Sequence, residues 1–215
     1  QTMYNLLCRY PELEVLPAAR EFGISVLPYM PLAGGLLTGK VQSEPGSRVP
    51  AYLLVPKGAE TGEGKRPAVL CLHGTDHVVG HGTVVGLGNR PNRQYASELA
   101  ERGYVCLAWD TLGQGERIQI WDEDFEASKV VRSTTEHTLV GLQTVLVGDP
   151  LGRYTTWDGI RALDYLLSRR EVDPARVGVT GNSGGGTHTA YLAALDDRFA
   201  AAAPSCFITS WRRLL

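Results

Sequence analysis

The chain has 215 residues, of which 43% are hydrophobic and 20% charged, with a net charge of −2 at pH 7. That is the composition of an ordinary globular protein with enough apolar residues for a sizeable core. It lacks the basic footprint that nucleic acid or an anionic membrane surface demands. No apolar run approaches the ~20 residues of a membrane-spanning helix, so neither nucleic acid nor membrane is an expected partner. Cys8, Cys71, Cys106 and Cys206 fit neither a C-x-x-C pair nor zinc-ligand spacing, and no metal is expected. Cys71 and Cys106 fall inside apolar runs and read as buried reduced thiols.

Residues 1–40 begin with a short apolar segment from Met3 to Leu7. A helical pattern through EVLPAAREFG and a second apolar run, ISVLPYMPL, follow. That order is strand, helix, strand, a βαβ unit. VQSEPGSR, residues 41–48, is polar with Pro and Gly and is placed as a junction.

From Val49 onward the order is regular. AYLLVP reads as a strand, KGAETGEGKR as an exposed turn, and PAVLCLHG as a buried strand that opens into a glycine-rich loop ending at Gly88. RQYASELAERG has Tyr95 and Leu99 at i, i+4 and stops at Gly103, the pattern of an amphipathic helix. YVCLAWD is a further buried strand, followed by TLGQGER. Residues 118–150 show no clean periodicity and read as an insertion over a site. Helical spacing returns at Trp157, Ile160, Leu163 and Leu166. VDPARVGVTG then supplies a turn and strand, THTAYLAAL a helix, and FAAAAPSCFI the next strand. This alternation predicts an α/β fold with a mostly parallel sheet covered on both faces over residues 49–215.

Gly181-Asn182-Ser183-Gly184-Gly185 fits G-x-S-x-G between a buried strand and a helix, where the motif has mechanical meaning. Glycines on either side permit a turn tight enough to push the Ser183 hydroxyl outward as a nucleophile. The free N–H groups and dipole of the helix start favour an oxyanion, and the Gly184 N–H is the natural first donor. The second is expected from the loop after AVLCL, at the backbone N–H of Thr75 or Gly74, with Thr75 the expected site residue. His73 is expected to shape that loop by hydrogen bonding, and Asp110 to be structural. His77, His81 and His137 read as solvated loop residues. His188, five residues beyond the serine on the same helix, points along that helix and is not expected to reach the hydroxyl.

Together VPAYLLVPKG, PAVLCLHG, ASELAERGYVCLAWD with GQGER, and WDGIRALDYLLSRREVDPARVGVTGNSGGGTHTAYLAALDDRFAAAAPSC resemble the α/β-hydrolase superfamily. The resemblance is to its acetyl xylan esterase and prolyl-oligopeptidase-like branch. It spans about residues 44–215 and implies hydrolysis of a small-molecule or carbohydrate ester through an acyl-enzyme at Ser183, without metal or organic cofactor. A prolyl-oligopeptidase-type peptidase shares the serine turn, but nothing here resembles a β-propeller. A noncatalytic remnant of the fold is a third reading. In these hydrolases the acid and then the histidine follow the serine along the chain. Asp196 and Asp197 come too early, and no histidine follows His188. The acid and base are therefore expected beyond Leu215, and the chain as given is expected to be inactive or nearly so.

QTMYNLLCRYPELEVLPAAREFGISVLPYMPLAGGLLTGK resembles instead the aldo-keto reductase family, at the sixth and seventh strands of its (β/α)8 barrel. In that family the positions matching Gln1 and Tyr4 contact the nicotinamide of NADP(H). Met30 departs from the serine usual in YSPLAGG. The family's Asp, Tyr, Lys and His tetrad is absent from the segment, and two strands cannot close a barrel. Residues 1–40 are therefore read as a barrel remnant in a chimera, with no cofactor. Reductase activity is the least favoured function. GGLLTGKV fits G-x-x-x-x-G-K, but Val41 stands where a phosphate loop needs Ser or Thr. Glycines 80, 82, 86 and 88 miss the G-x-G-x-x-G spacing and read as a mobile loop.

Overall fold

The computed structural model describes residues 2–3, 28–29, 41–44, 47–59, 64–89 and 91–210. The chain divides into two units, Gln1–Lys40 and Val41–Leu215. In the first, β1 (Thr2–Met3) pairs in parallel with β2 (Pro28–Tyr29). The helix predicted between them, with Gln1, Tyr4 and Met30, lies outside the described residues.

The larger unit opens with an antiparallel hairpin, β3 (Val41–Glu44) and β4 (Ser47–Val49). There follow β5 (Ala51–Leu54), β6 (Arg66–Leu72), α1 (Tyr95–Glu101) and β7 (Val105–Trp109). A small hairpin of β8 (Trp121–Asp122) and β9 (Ala127–Ser128) leads to α2 (Ser133–Leu146) and α3 (Leu151–Leu167). The described part closes with β10 (Val172–Asn182), α4 (Gly184–Leu195) and β11 (Ala201–Ser205). The sheet runs β11-β10-β6-β7-β5, parallel throughout except for β5, which is antiparallel to β7. This is the mostly parallel sheet that the alternating elements predict.

The period of two in the central strands decides what each layer holds. Leu70, Leu72, Leu107, Trp109, Val177 and Val179 form one core with Ala162, Leu163 and Leu166 of α3 and Leu192 of α4. Cys71, Cys106 and Ala108 point the other way, onto Ala96 of α1 and Val84, with Tyr95 and Leu99 packed around them. Every position of β7 is buried, as a strand covered on both faces requires. Cys71 and Cys106 are free thiols in this second layer.

Two predicted features differ from the structure. Residues 118–150 are not irregular: they contain the β8–β9 hairpin and the 14-residue α2. Helix α2 buries only Ser133 and Glu136, while Leu139, Leu142, Val145 and Leu146 are exposed, so it leaves no amphipathic stripe for the sequence to show. It is anchored by polar bonds instead. The Gln119 N–H donates to Glu136 Oε1 at 2.5 Å, and His137 Nε2 donates to the Leu112 carbonyl at 2.8 Å. Trp157 lies on the outer side of α3, 42% exposed, with the Arg161 guanidinium 5.9 Å above its ring. The core stripe of that helix is Ala162, Leu163 and Leu166, with Ile160 at its margin.

Leu163→Ala, in the wholly buried layer between α3 and the sheet, is predicted to destabilise the unit by about 2–5 kcal/mol. Leu146→Ala, on the exposed side of α2, should stay within about 0.5 kcal/mol. Urea unfolding of the two variants checks this, and equal losses would contradict the core assigned here.

Candidate active site

Strand β10 passes into α4 through a single residue, Ser183. Its backbone has φ 55° and ψ −113°, outside the wells open to an L-residue and costing of order 1–3 kcal/mol. Two bonds hold it there: its N–H donates to the Ser205 carbonyl at 2.9 Å, and its carbonyl accepts the Thr187 N–H at 3.0 Å. The glycines of the motif are forced by close approach. A Cβ on Gly181 would lie 2.5 Å from the Gly185 carbonyl, and one on Gly185 would lie 2.0 Å from the Leu72 carbonyl. Helix α4 therefore begins with its backbone directly against β6. Ser183 is exposed, and its hydroxyl has no hydrogen-bond partner among the described residues. The Ser183 side chain does not cap α4, so the Gly184 amide that follows it and the positive end of the helix dipole lie next to the hydroxyl.

The loop after β6 lies against this turn. A Cβ on Gly184 would come 2.8 Å from Thr75 Oγ1 and 3.5 Å from Thr75 N. His73, buried behind the loop, donates from Nδ1 to the Gly74 carbonyl at 2.7 Å and accepts the Thr111 N–H at Nε2, 3.4 Å away. A carbonyl can only accept, so the proton sits on Nδ1. Burial pushes this imidazole below its ordinary pKa, outweighing the pull of Asp110, and the ring is neutral at pH 7. In a trans peptide the N–H points opposite the C=O. Binding Gly74 O to His73 therefore turns the Thr75 N–H away from the histidine.

Asp110 is wholly buried. It accepts the His81 N–H at 2.7 Å and the Glu116 N–H at 2.8 Å, and His81 Nδ1 lies 2.8 Å from Oδ1. Burial raises the pKa of this carboxyl, but His81 and His73 outweigh it and hold the group below the usual carboxylate range. Its role is structural. Two expectations about the histidines need correction. His81 is buried and stacks on Tyr52 with ring centroids 4.4 Å apart, because Asp110 draws it inward. His137, on α2, is half-buried and bonded to the Leu112 carbonyl. His77 is half-buried, with neither ring nitrogen partnered among the described residues. The glycine-rich loop is likewise not loose. Gly80–Val85 forms a buried 3₁₀ turn, and the Asp76 carboxylate accepts the Val78 and Val79 N–H groups just before it.

His188 faces inward from α4, its Nδ1 buried without a partner among the described residues. A hollow of about 1120 Å³ beside α3 and α4 is lined by Trp157, Ile160, Tyr191 and Leu195 among others. Ser183, Gly184 and Thr75 do not line it.

Residues 147–215 match the prolyl oligopeptidase family. The candidate hydrolase YtaP of Bacillus subtilis (strain 168) is 32% identical over 162 residues, 74% of this chain and 48% of that protein. A candidate acetyl xylan esterase from Bacteroides fragilis NCTC 9343 superposes with a TM-score of 0.61 at 19% identity, over 74% of this chain and 41% of its own. Acetyl Xylan Esterase 1 from Thermoanaerobacterium sp. JW/SL YS485 gives a TM-score of 0.50 at 27% identity, over 71% and 41%. Taken with the mostly parallel sheet, these matches give the larger unit the α/β fold of its α/β-hydrolase neighbours. The chain spans about half the length of the curated hydrolase it matches. A stretch of 44 residues is 50% identical to Aldo-keto reductase family 7 member A3 of Homo sapiens, covering 20% of this chain and 13% of that one.

Burial, with His73 and His137 nearby, pushes the His188 pKa down to about 4. The unfolded chain then takes up the proton first. The stability that rests on neutral His188 is complete above about pH 6.5 and is lost as pH falls toward 4. Thermal melts between pH 7 and 4 should show a falling Tm whose slope is reduced in His188→Gln. Identical slopes would overturn this account of the residue.

Proposed function

We propose that the larger unit carries the nucleophile and the oxyanion site of a serine esterase. The observation that carries the reading is Ser183 itself: exposed, in a strained backbone, at the uncapped start of α4 and beside the Thr75 loop. In this reading Ser183 Oγ gives its proton to a general base and bonds to the ester carbonyl carbon. The N–H groups of Gly184 and Thr75 hold the developing oxyanion. The alkoxide leaves with a proton, and water hydrolyses the acyl-serine to regenerate the hydroxyl. No metal or organic cofactor takes part. The substrate class is a small-molecule or carbohydrate ester, the class suggested by the name of the 27%-identical structural neighbour.

No described histidine or carboxylate bonds the Ser183 hydroxyl, so the base and its acid partner are assigned to chain beyond Leu215. Without them a serine hydroxyl is a poor nucleophile at neutral pH, and the 215-residue chain is inactive or nearly so. Residues 1–40 belong to the same proposal as an aldo-keto reductase-like segment, joined through residues 41–48 to the hydrolase unit at 49–215. A peptidase is the second reading, favoured by the family match over residues 147–215.

Labelling by a fluorophosphonate probe, read by intact mass, tests the assignment on this chain and on the gene product extended beyond Leu215. Ser183 of the extended protein should label at least about 10³-fold faster than the short chain, and Ser183→Ala should abolish labelling. Persistence of the label in that variant would sink the assignment. Faster turnover of a prolyl amide than of p-nitrophenyl acetate by the extended protein would replace the esterase with the peptidase.

A further inference from the structure

We propose that Gln114 is a positioning residue that aims the oxyanion donor at Thr75. The inference rests on the reading of Ser183 and Thr75 given above. Gln114 is 3% exposed and sits in the turn after β7. Its Oε1 accepts the N–H of Asp76, the residue that follows Thr75, at 2.6 Å. The next residue adds a second bond, from the Gly115 N–H to the His77 carbonyl at 3.1 Å.

The turn that carries Gln114 is itself fixed. The Gln114 N–H donates to the Thr111 carbonyl at 3.0 Å, and its carbonyl accepts the Arg117 N–H at 2.9 Å. Arg117 Nη1 in turn donates to the Asp110 carbonyl at 3.1 Å and to Asp158 Oδ2 of α3 at 2.5 Å. Gln114 is thus a rigid acceptor built onto the sheet.

Thr75 is exposed and stands between two peptide planes. His73 sets the plane before it by holding the Gly74 carbonyl. Gln114 sets the plane after it by holding the Asp76 N–H. A trans peptide leaves only φ and ψ free at each residue, so fixing both flanking planes fixes Thr75. Beyond Asp76 the chain is tied by its own carboxylate, which accepts Val78, Val79 and the Thr83 hydroxyl. Those bonds stabilise the loop but do not act on the plane between Thr75 and Asp76. Loss of the Gln114 oxygen would leave the Asp76 N–H without its acceptor and free the plane after Thr75, so the Thr75 Cα, and with it the Thr75 N–H, would be held only from the His73 side. Transition-state stabilisation by an oxyanion donor depends on its being aimed before the charge develops. The expected defect therefore falls on the chemical step and not on binding.

The test compares Gln114→Met, close in size but without the acceptor, with Gln114→Glu, which retains one, in the gene product extended beyond Leu215. Time courses of fluorophosphonate labelling at several probe concentrations separate the maximal rate from the half-saturating concentration. Gln114→Met should lower the maximal rate about tenfold or more and leave half-saturation within about twofold. Amide exchange at Asp76 should quicken in the same variant. Gln114→Glu should restore the maximal rate to within about threefold of the unmutated protein. If Gln114→Met does not fold, Gln114→Asn, whose oxygen is drawn back by one methylene, carries the same expectation. An unchanged maximal rate in the folded variant, with Ser183 of the unmutated protein labelled, overturns the inference alone. No labelling of Ser183 in the unmutated protein overturns the parent reading, and the inference with it.

Discussion

The contact on which the rest of the site depends is the approach of α4 to β6. With no side chain at Gly181 or Gly185, the first turn of the helix rests on the Leu72 carbonyl, and the strand-to-helix corner closes within one residue. Any Cβ there would lift α4 away from the sheet and relax Ser183 out of its unusual backbone. The cost of the strained serine is met by bonds on both sides, to Ser205 of β11 and to Thr187 one helical turn on. Leu192, seated in the core beneath, keeps the far end of the same helix down. The exposure of one hydroxyl is thus a consequence of packing at several points along α4.

A second constraint comes from burying a carboxylate. Asp110 lies in the interior, where an unpaired charge would cost several kcal/mol, and the structure surrounds it with donors. The His81 and Glu116 amides donate to it and His81 Nδ1 lies 2.8 Å from Oδ1, while the His73 ring packs alongside with Nε2 3.6 Å away. Gly80 and Gly115 leave room for it: a Cβ at either would meet the carboxylate within 2.4 Å. The outcome is a polar knot that ties the glycine-rich loop after β6 to the turn after β7. Both segments leave the carboxyl ends of parallel strands, the edge where α/β sheets place ligands. The knot converts two glycine-rich loops into a fixed rim beside Ser183.

The parts of this arrangement legible in the sequence are those written in local pattern. Continuous apolar runs mark β6 and β7, an i, i+4 pair marks α1, and glycines flank Ser183 where a strand meets a helix. What stayed hidden depends on partners far apart in the chain. His81 looks like one more loop histidine until Asp110, 29 residues on, pulls it inward. Gln114 bonds Asp76 across 38 residues, with only the turn-like GQG to signal it. Helix α2 left no amphipathic trace because its hold on the fold is polar, through Glu136 and His137, while its leucines face outward. Trp157 fits the helical stripe by spacing yet lies outside it, since spacing alone does not say where the stripe ends.

On the proposed chemistry, the two halves of the site differ in how much chain they need. The oxyanion half uses backbone amides at the ends of β6 and β10, strands that sit side by side in the sheet. It is complete once those strands and α4 are packed. The proton-relay half needs side chains carried to the serine from elsewhere, and nothing in the core assembled here requires them. On this reading the unit holds its electrostatic site without its base. It would present donors to a carbonyl oxygen while leaving the hydroxyl beside them protonated. Stabilising the oxyanion lowers the barrier to attack, but without a base to take the serine proton most of that barrier remains. The preorganised rim around Ser183 is therefore one factor of a product whose other factor, deprotonation, must come from a different part of the fold.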